Sequence, residues 1–238
     1  MENIIYCQKE KLALLGTAES LVSAPWDDDE YELWGVAQIT TYPVYKRADL
    51  LFELHQESYW NDPNIVPRLN RFEGPTYMQK HYDIVPRSVE FPKELLVTSL
   101  RRYHTTSVTY MLAWAYKSFI ETHKPAHVSL FGIHMSTREE YTEQRPCCEY
   151  WLGRMEGAGM SISLSPGGAI LSSRGLYGYE GYHPMIPRIT ERLDGLKAGE
   201  THWQNLVKEH ERELYRQQGA IVEGEYWLRL LQTGEIPS

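Results

Sequence analysis

Leu12-Ala13-Leu14-Leu15-Gly16-Thr17-Ala18-Glu19-Ser20 is the stretch that decides the fold. An apolar run without polar alternation, as in a strand covered on both faces, ends at a glycine and passes into small hydroxyl residues that open a helix. Gly16 permits a sharp strand-to-helix turn, and hydroxyls at a helix start leave backbone N–H groups free to face an anion. A matching edge stands far downstream, where Thr105-Thr106-Ser107 precedes the apolar run Val108 to Ala115. Two such corners on one sheet predict a nucleotide-sized ligand held between them.

Residues 11–16 read as a buried strand, Tyr31 to Val36 as a second after the turn Pro25-Trp26-Asp27-Asp28-Asp29, and Asp49 to Leu54 as a third. Gln38 to Lys46 is too short and too β-branched to assign as a helix. Five prolines between residues 60 and 92 mark an irregular excursion with short extended pieces such as Thr76-Tyr77-Met78. Apolar residues recur at helical spacing over Ser107 to Thr122, His127 to Ile133 reads as a strand, Arg138 to Gly157 as a helix, and Met160 to Leu164 as another strand. This rhythm predicts an α/β fold, a Rossmann-like, doubly wound and mainly parallel sheet, over residues 1–183. From Pro184 onward the pattern is helical and charged, with Gly219 as a break. A C-terminal helical hairpin over 184–238 is expected, packed on the core or pairing two copies into a homodimer.

A chain of 238 residues with 42% hydrophobic and 24% charged residues has enough apolar material for one such domain plus a helical appendage. No apolar run reaches the roughly 20 residues of a spanning helix, and Met1 to Tyr6 lacks a basic region and cleavage site, so a cytoplasmic protein without a membrane partner is expected. Cys7, Cys147 and Cys148 have neither metal-ligand spacing nor a disulfide pattern. The formal net charge of −8 argues against unspecific attraction to a polyanion, so DNA is not the favoured partner. Arg68 with Arg71, and Arg101 with Arg102, are the two small clusters that could form a local basic groove, with solvated helix and loop charges the favoured reading. Asp27-Asp28-Asp29-Glu30 contains the Asp-x-Asp pattern that some glycosyltransferases use for a divalent metal, but its place in a Pro-Trp turn reads as a simple acidic turn, and no required metal is expected.

In an open parallel sheet, ligands bind outside the carboxyl ends of the strands where the crossover direction reverses. The residues there are Gly16 to Ser20, Gly35 with Gln38, Glu53 with His55, Thr105 to Ser107, and Gly132 to Met135. Neither a dinucleotide fingerprint nor a phosphate-loop Gly-Lys-Ser/Thr is present. Glu19 would repel a phosphate yet could bond a ribose hydroxyl. His55 follows a buried strand and has Glu53 two residues earlier on the same strand face, which makes it the preferred general base, with His134 in reserve. At helical spacing Tyr141, Arg145 and Glu149 share a face, so a phenol and a guanidinium could meet a phosphate while Glu149 orients Arg145, unless the pair is a plain surface ion pair.

The block Tyr103 to Ala115, leading to Val128-Ser129-Leu130-Phe131-Gly132-Ile133-His134-Met135, resembles bacterial sialyltransferase-like glycosyltransferases. There a Thr-Ser pair opens a helix bearing Tyr-Met, the next strand ends in Gly-Ile-Asp, and the first strand ends in a Gly-x-Gly-Pro-Ser turn. Archaeal pterin pyrophosphokinases share that layout. Residues 11 to about 180 are also similar to a set of bacteriophage Rossmann-like proteins, through Trp34-Gly35, Phe52-Glu53-Leu54-His55 and Glu140-Tyr141 to Glu149-Tyr150. The resemblance implies that Gly16, Thr17 and Ser20 approach the phosphates or ribose and that Thr105, Thr106 and Ser107 line the other side of the nucleotide. Ala18-Glu19 stands where Gly-Pro is expected and His134 where the acid is, and the family's catalytic histidine has no counterpart.

Together these readings lead to a nucleotide-dependent transferase, foremost a glycosyltransferase taking a nucleotide-sugar donor as substrate, with a modified nucleobase as a side candidate for acceptor. Two alternatives stand beside it. One is a non-catalytic nucleotide binder; the other is a pyrophosphokinase-type enzyme, which should consume ATP and demand magnesium.

Overall fold

The strands β1 (Lys11–Leu15), β2 (Tyr31–Val36), β3 (Leu50–Phe52), β4 (Thr76–Met78), β5 (Ser88–Glu90), β6 (His127–Phe131) and β7 (Ser161–Leu164) form one sheet in the order β5-β4-β3-β2-β1-β6-β7. Every neighbouring pair is parallel. The computed structural model describes residues 4–137, 140–173, 175, 177–178 and 185–233, with backbone alone at 140, 141, 185, 187, 188 and 198. Between the strands lie α1 (Glu57–Trp60), α2 (Ile65–Arg71), α3 (Lys93–Ser99), α4 (Ser107–Thr122) and α5 (Arg145–Gly157), followed by α6 (Met185–Thr233).

From β1 to β5 the chain steps outward in one direction, and α4 then carries it back to the far side of β1. The reversal falls between β1 and β6, where a Rossmann-like sheet opens a crevice at its carboxyl edge. Alternation along β1 explains its unbroken apolar run, since each face meets its own cover. Leu12 and Leu14 join Trp34, Phe52, the α4 residues Met111 and Trp114, and Trp151 of α5 in one core cluster. Ala13 and Leu15 join Leu33 and Leu51 with Leu21, Ile39 and Phe72 in another. The doubly wound α/β class expected from the sequence is the observed one.

The helix start at α4 is built by side chains. The Val108 N–H donates to Thr106 Oγ1 at 2.9 Å, and the Thr106 N–H donates to Thr109 Oγ1 at 3.1 Å, so the first-turn donors are partly satisfied from within. The proline-rich stretch is more ordered than its composition suggests. It supplies α2, β4 and β5, and Pro67 fits the first turn of α2 because an N–H there has no intrahelical partner in any case.

Two glycines shape the switch point. Gly16 N–H donates to Phe131 O at 2.8 Å and Ala18 N–H to Gly132 O at 2.9 Å, binding the ends of β1 and β6 together. A Cβ on Gly16 would lie 2.4 Å from Gly132 O, and one on Gly132 would lie 2.5 Å from Gly16 O; Gly132 also has φ +68°. Gly132→Ala combines backbone clash with a left-handed conformation and is expected to cost about 3 kcal/mol of stability, read as a lowered urea midpoint. An unchanged midpoint would contradict the close approach.

The chain divides into two units, Met1–Ser172 and Ser173–Ser238. The second contains α6, a single helix of 49 residues where a hairpin breaking at Gly219 was expected. A glycine inside a helix costs about 1 kcal/mol relative to alanine but keeps its N–H and C=O in the ladder, so flanking helix formers carry the helix through it. No helix of the described residues is long and apolar enough to cross a membrane.

Candidate functional site

Outside the carboxyl ends of β1, β2, β3 and β6 lies a cleft of about 570 Å³, within the range usual for small-molecule sites. Gly16 to Ala18, Val36 to Gln38, Phe52, Glu53 and His55, and Gly132 to Thr137 line it from the strand ends. Thr106 to Val108 at the start of α4, Gln144, and Tyr59, Ile65 and Arg68 from α1 and α2 complete the lining. Of the residues expected to bind a nucleotide, Gly16, Thr17, Gln38, Thr106, Ser107, Gly132 and His134 are thus brought to one place.

Glu53 and His55 meet there. Glu53 is buried, its side chain 4% exposed, and its Oε1 lies 2.5 Å from His55 Nδ1. A buried carboxylate accepting from Nδ1–H fixes the tautomer and leaves Nε2 as the basic nitrogen. The His55 ring is half exposed and lies against Tyr59, centroid to centroid 4.2 Å. Glu53 stays in register because its N–H donates to Tyr77 O at 2.9 Å across to β4.

Four polar groups in the lining have no side-chain hydrogen-bond partner among the described residues: the hydroxyls of Thr17 and Ser107, the Gln38 amide and the Arg68 guanidinium. Arg68 is the most telling, since its Nε is buried. A buried polar atom without a partner is costly and uncommon, and in a cleft its natural complement is a ligand acceptor. Ser107 stands at the amino end of the 16-residue helix α4, whose dipole favours negative charge at that point.

Other expected residues lie elsewhere. Ser20 does not line the cleft: its Oγ accepts from Gly132 N–H at 2.9 Å and bonds His134 Nε2 at 2.7 Å and Ser165 Oγ at 2.8 Å. The short helical turn Glu19–Ser23 directs it inward, so it pegs together the ends of β1, β6 and β7. The same bond ties His134 Nε2 to Ser20, while the His134 ring still lines the cleft. Glu19 is exposed and Thr105 turns away, its hydroxyl toward Glu143 O at 3.5 Å. Arg145 is also outside the lining. Its Nε donates to Glu149 Oε1 at 2.7 Å and its Nη2 to Ser172 O, while Glu149 Oε1 also accepts Leu171 N–H at 2.7 Å. Arg145 is therefore a clamp between α5 and the segment beyond β7. The Tyr141 side chain lies outside the described residues.

His104, beside the α4 corner, is sandwiched between Tyr110 and Trp151 at 4.4 and 5.1 Å, and burial pushes its pKa down. A neutral ring in that stack fixes the approach to Thr106 and Ser107. The Asp27 to Asp29 turn precedes β2, at the opposite end of the sheet from the cleft, with Asp27 paired to Lys46.

No family model and no curated protein sequence matches the chain. Among solved structures, the sialyltransferase CstII from Campylobacter jejuni in complex with cytidine-5'-monophosphate, a substrate analogue, is similar with a TM-score of 0.45 and 12% identity. That match covers 67% of this chain and 81% of the other. The same enzyme in complex with CMP-3FNeuAc gives 0.45 and 13%, over 65% and 79%. At that level the likeness is one of general chain course, and the chemistry has to be read from the cleft's own residues.

Arg68 is the functional candidate that the sequence reading named but set aside. Its cluster with Arg71 suggested solvated charge, and Arg71, Arg101 and Arg102 are indeed exposed. Proline signals hid α2, the element that turns Arg68 inward.

Proposed function

We propose that the chain is a nucleotide-dependent transferase, foremost a glycosyltransferase that takes a nucleotide sugar as donor. The observation that carries this reading is the meeting, in one cleft, of a carboxylate-oriented histidine and a set of donors without partners. In this scheme the donor's phosphates lie between Arg68 and the amino end of α4, with Ser107 and Thr17 donating to them. Gln38 reaches the ribose or base. His55 Nε2 takes the proton from an acceptor hydroxyl as its oxygen attacks the anomeric carbon, and the bond to the nucleotide phosphate breaks. Glu53 stabilises the imidazolium that forms, and Arg68 with the helix terminus takes up the charge of the departing phosphate.

A sequestering protein would need the donors but not the dyad, so the buried Glu53 under His55 favours an enzyme. The test is a thermal-shift screen of uridine, cytidine and adenine nucleotides and their sugars, followed by an assay for nucleotide release. A ligand at a hundred times its Kd is expected to add about 2.7 kcal/mol of stability. Failure of every nucleotide to shift the transition overturns the reading, and binding without release in the presence of acceptor hydroxyls overturns its catalytic half.

A further inference from the structure

Helix α6 carries apolar residues at heptad spacing, continuous at a save for one position and interrupted at d in its second half. With Ile186 as the first a position, six of the seven a residues are apolar (Ile186, Leu193, Val207, Leu214, Ile221 and Leu228), the exception being Glu200. At d stand Ile189, Leu196, Trp203 and Leu231, with His210, Gln217 and Gly224 between the last two. Apolar residues at these a and d positions are between 48% and 71% exposed. Apolar residues at a and d in the first half of this roughly 73 Å helix, continued at a through the second half, form the seam of a coiled coil, which is covered by a second helix of matching period. Among the described residues the next longest helix is α4, with 16 residues, so the chain itself offers no such partner.

We infer that α6 pairs with α6 of a second copy as an antiparallel two-stranded coiled coil. The flanking charges choose the orientation. In a parallel, in-register pair Glu200 faces Glu200 at the seam, and Arg192 at g faces Lys197 at e of the other copy, both like-charge contacts in the interface. In the antiparallel pair a residues meet d residues. Glu200 then faces Gln217, Trp203 faces Leu214, Leu196 faces Ile221, and Ile189 faces Leu228. Arg192 lies beside Trp227, where a guanidinium over an indole is attractive, and Lys197 lies beside Gln218. No like charges meet across this seam.

Sedimentation equilibrium of the full chain tests the pairing. A mass of twice 27.7 kDa is expected, and a single-chain mass at micromolar concentration, or any higher assembly, overturns it. Leu196→Glu with Leu214→Glu is expected to give monomers that keep the cooperative unfolding of the first unit; a dimer that persists overturns the seam. Orientation is read with Ile189→Cys and Leu228→Cys, the three native cysteines being buried. A mixture of the two variants is expected to crosslink under mild oxidation while neither does so alone. Crosslinking of the single variants alone overturns the antiparallel register.

Discussion

Replacing His55 by alanine is expected to lower group transfer by about 10²–10⁴-fold while leaving nucleotide affinity within about twofold. The size follows from the role: without an imidazole near the acceptor hydroxyl, its proton must leave to water. Glu53→Gln keeps a hydrogen-bond acceptor for His55 Nδ1 but removes the charge that stabilises the imidazolium, and a loss of at least about tenfold in kcat is expected. Glu53 is buried, so the glutamine is a better probe than alanine, which would leave a cavity as well as an unpaired ring nitrogen. Isothermal titration beside single-turnover kinetics separates the two quantities. Parallel losses of affinity and rate in His55→Ala would assign the ring to binding instead of proton transfer.

Arg68→Ala is expected to weaken nucleotide binding by about 10–100-fold, the equivalent of about 1.5–3 kcal/mol for a charge-assisted hydrogen bond. Its effect should be confined to phosphorylated ligands. The affinity of the corresponding nucleoside, measured under the same conditions, is expected to be unchanged, because only the phosphate answers a guanidinium at that place. Arg68→Lys should recover the charge but not the planar pair of donors, and so regain only part of the loss. An equal fall for nucleoside and nucleotide would make Arg68 a structural residue of α2.

The two corners that open the sequence reading are legible because each carries a local signal, an apolar strand running into small hydroxyl residues at Gly16 and hydroxyls ahead of an apolar helix at Thr106, and both reach the cleft, although only the first stands at a strand end. The division of labour within a corner is not legible. Ser20 and Ser107 look alike in sequence, yet Ser20 is consumed by Gly132, His134 and Ser165, three residues brought beside it only by the β1–β6–β7 neighbourhood. Arg145 shows the same limit. Its helical spacing to Glu149 is readable, but the Ser172 carbonyl that fixes its direction comes from a segment beyond β7. Arg68 was set aside as solvated charge for the opposite reason, because proline masks the seven-residue helix that carries it. The long helix was misread at Gly219, where a local penalty was taken as a break although the helix formers on both sides carry the ladder through it.

The mutual approach of Gly16 and Gly132 has an evolutionary consequence. The floor of the crevice is main chain on both sides, with no room for a side chain to be added to either residue alone. The shape of the crevice therefore cannot drift there by single replacements; it changes on the walls, where side chains such as Gln38, Tyr59 and Arg68 form the lining. A lineage of this protein could exchange one ligand for another while its floor stayed invariant.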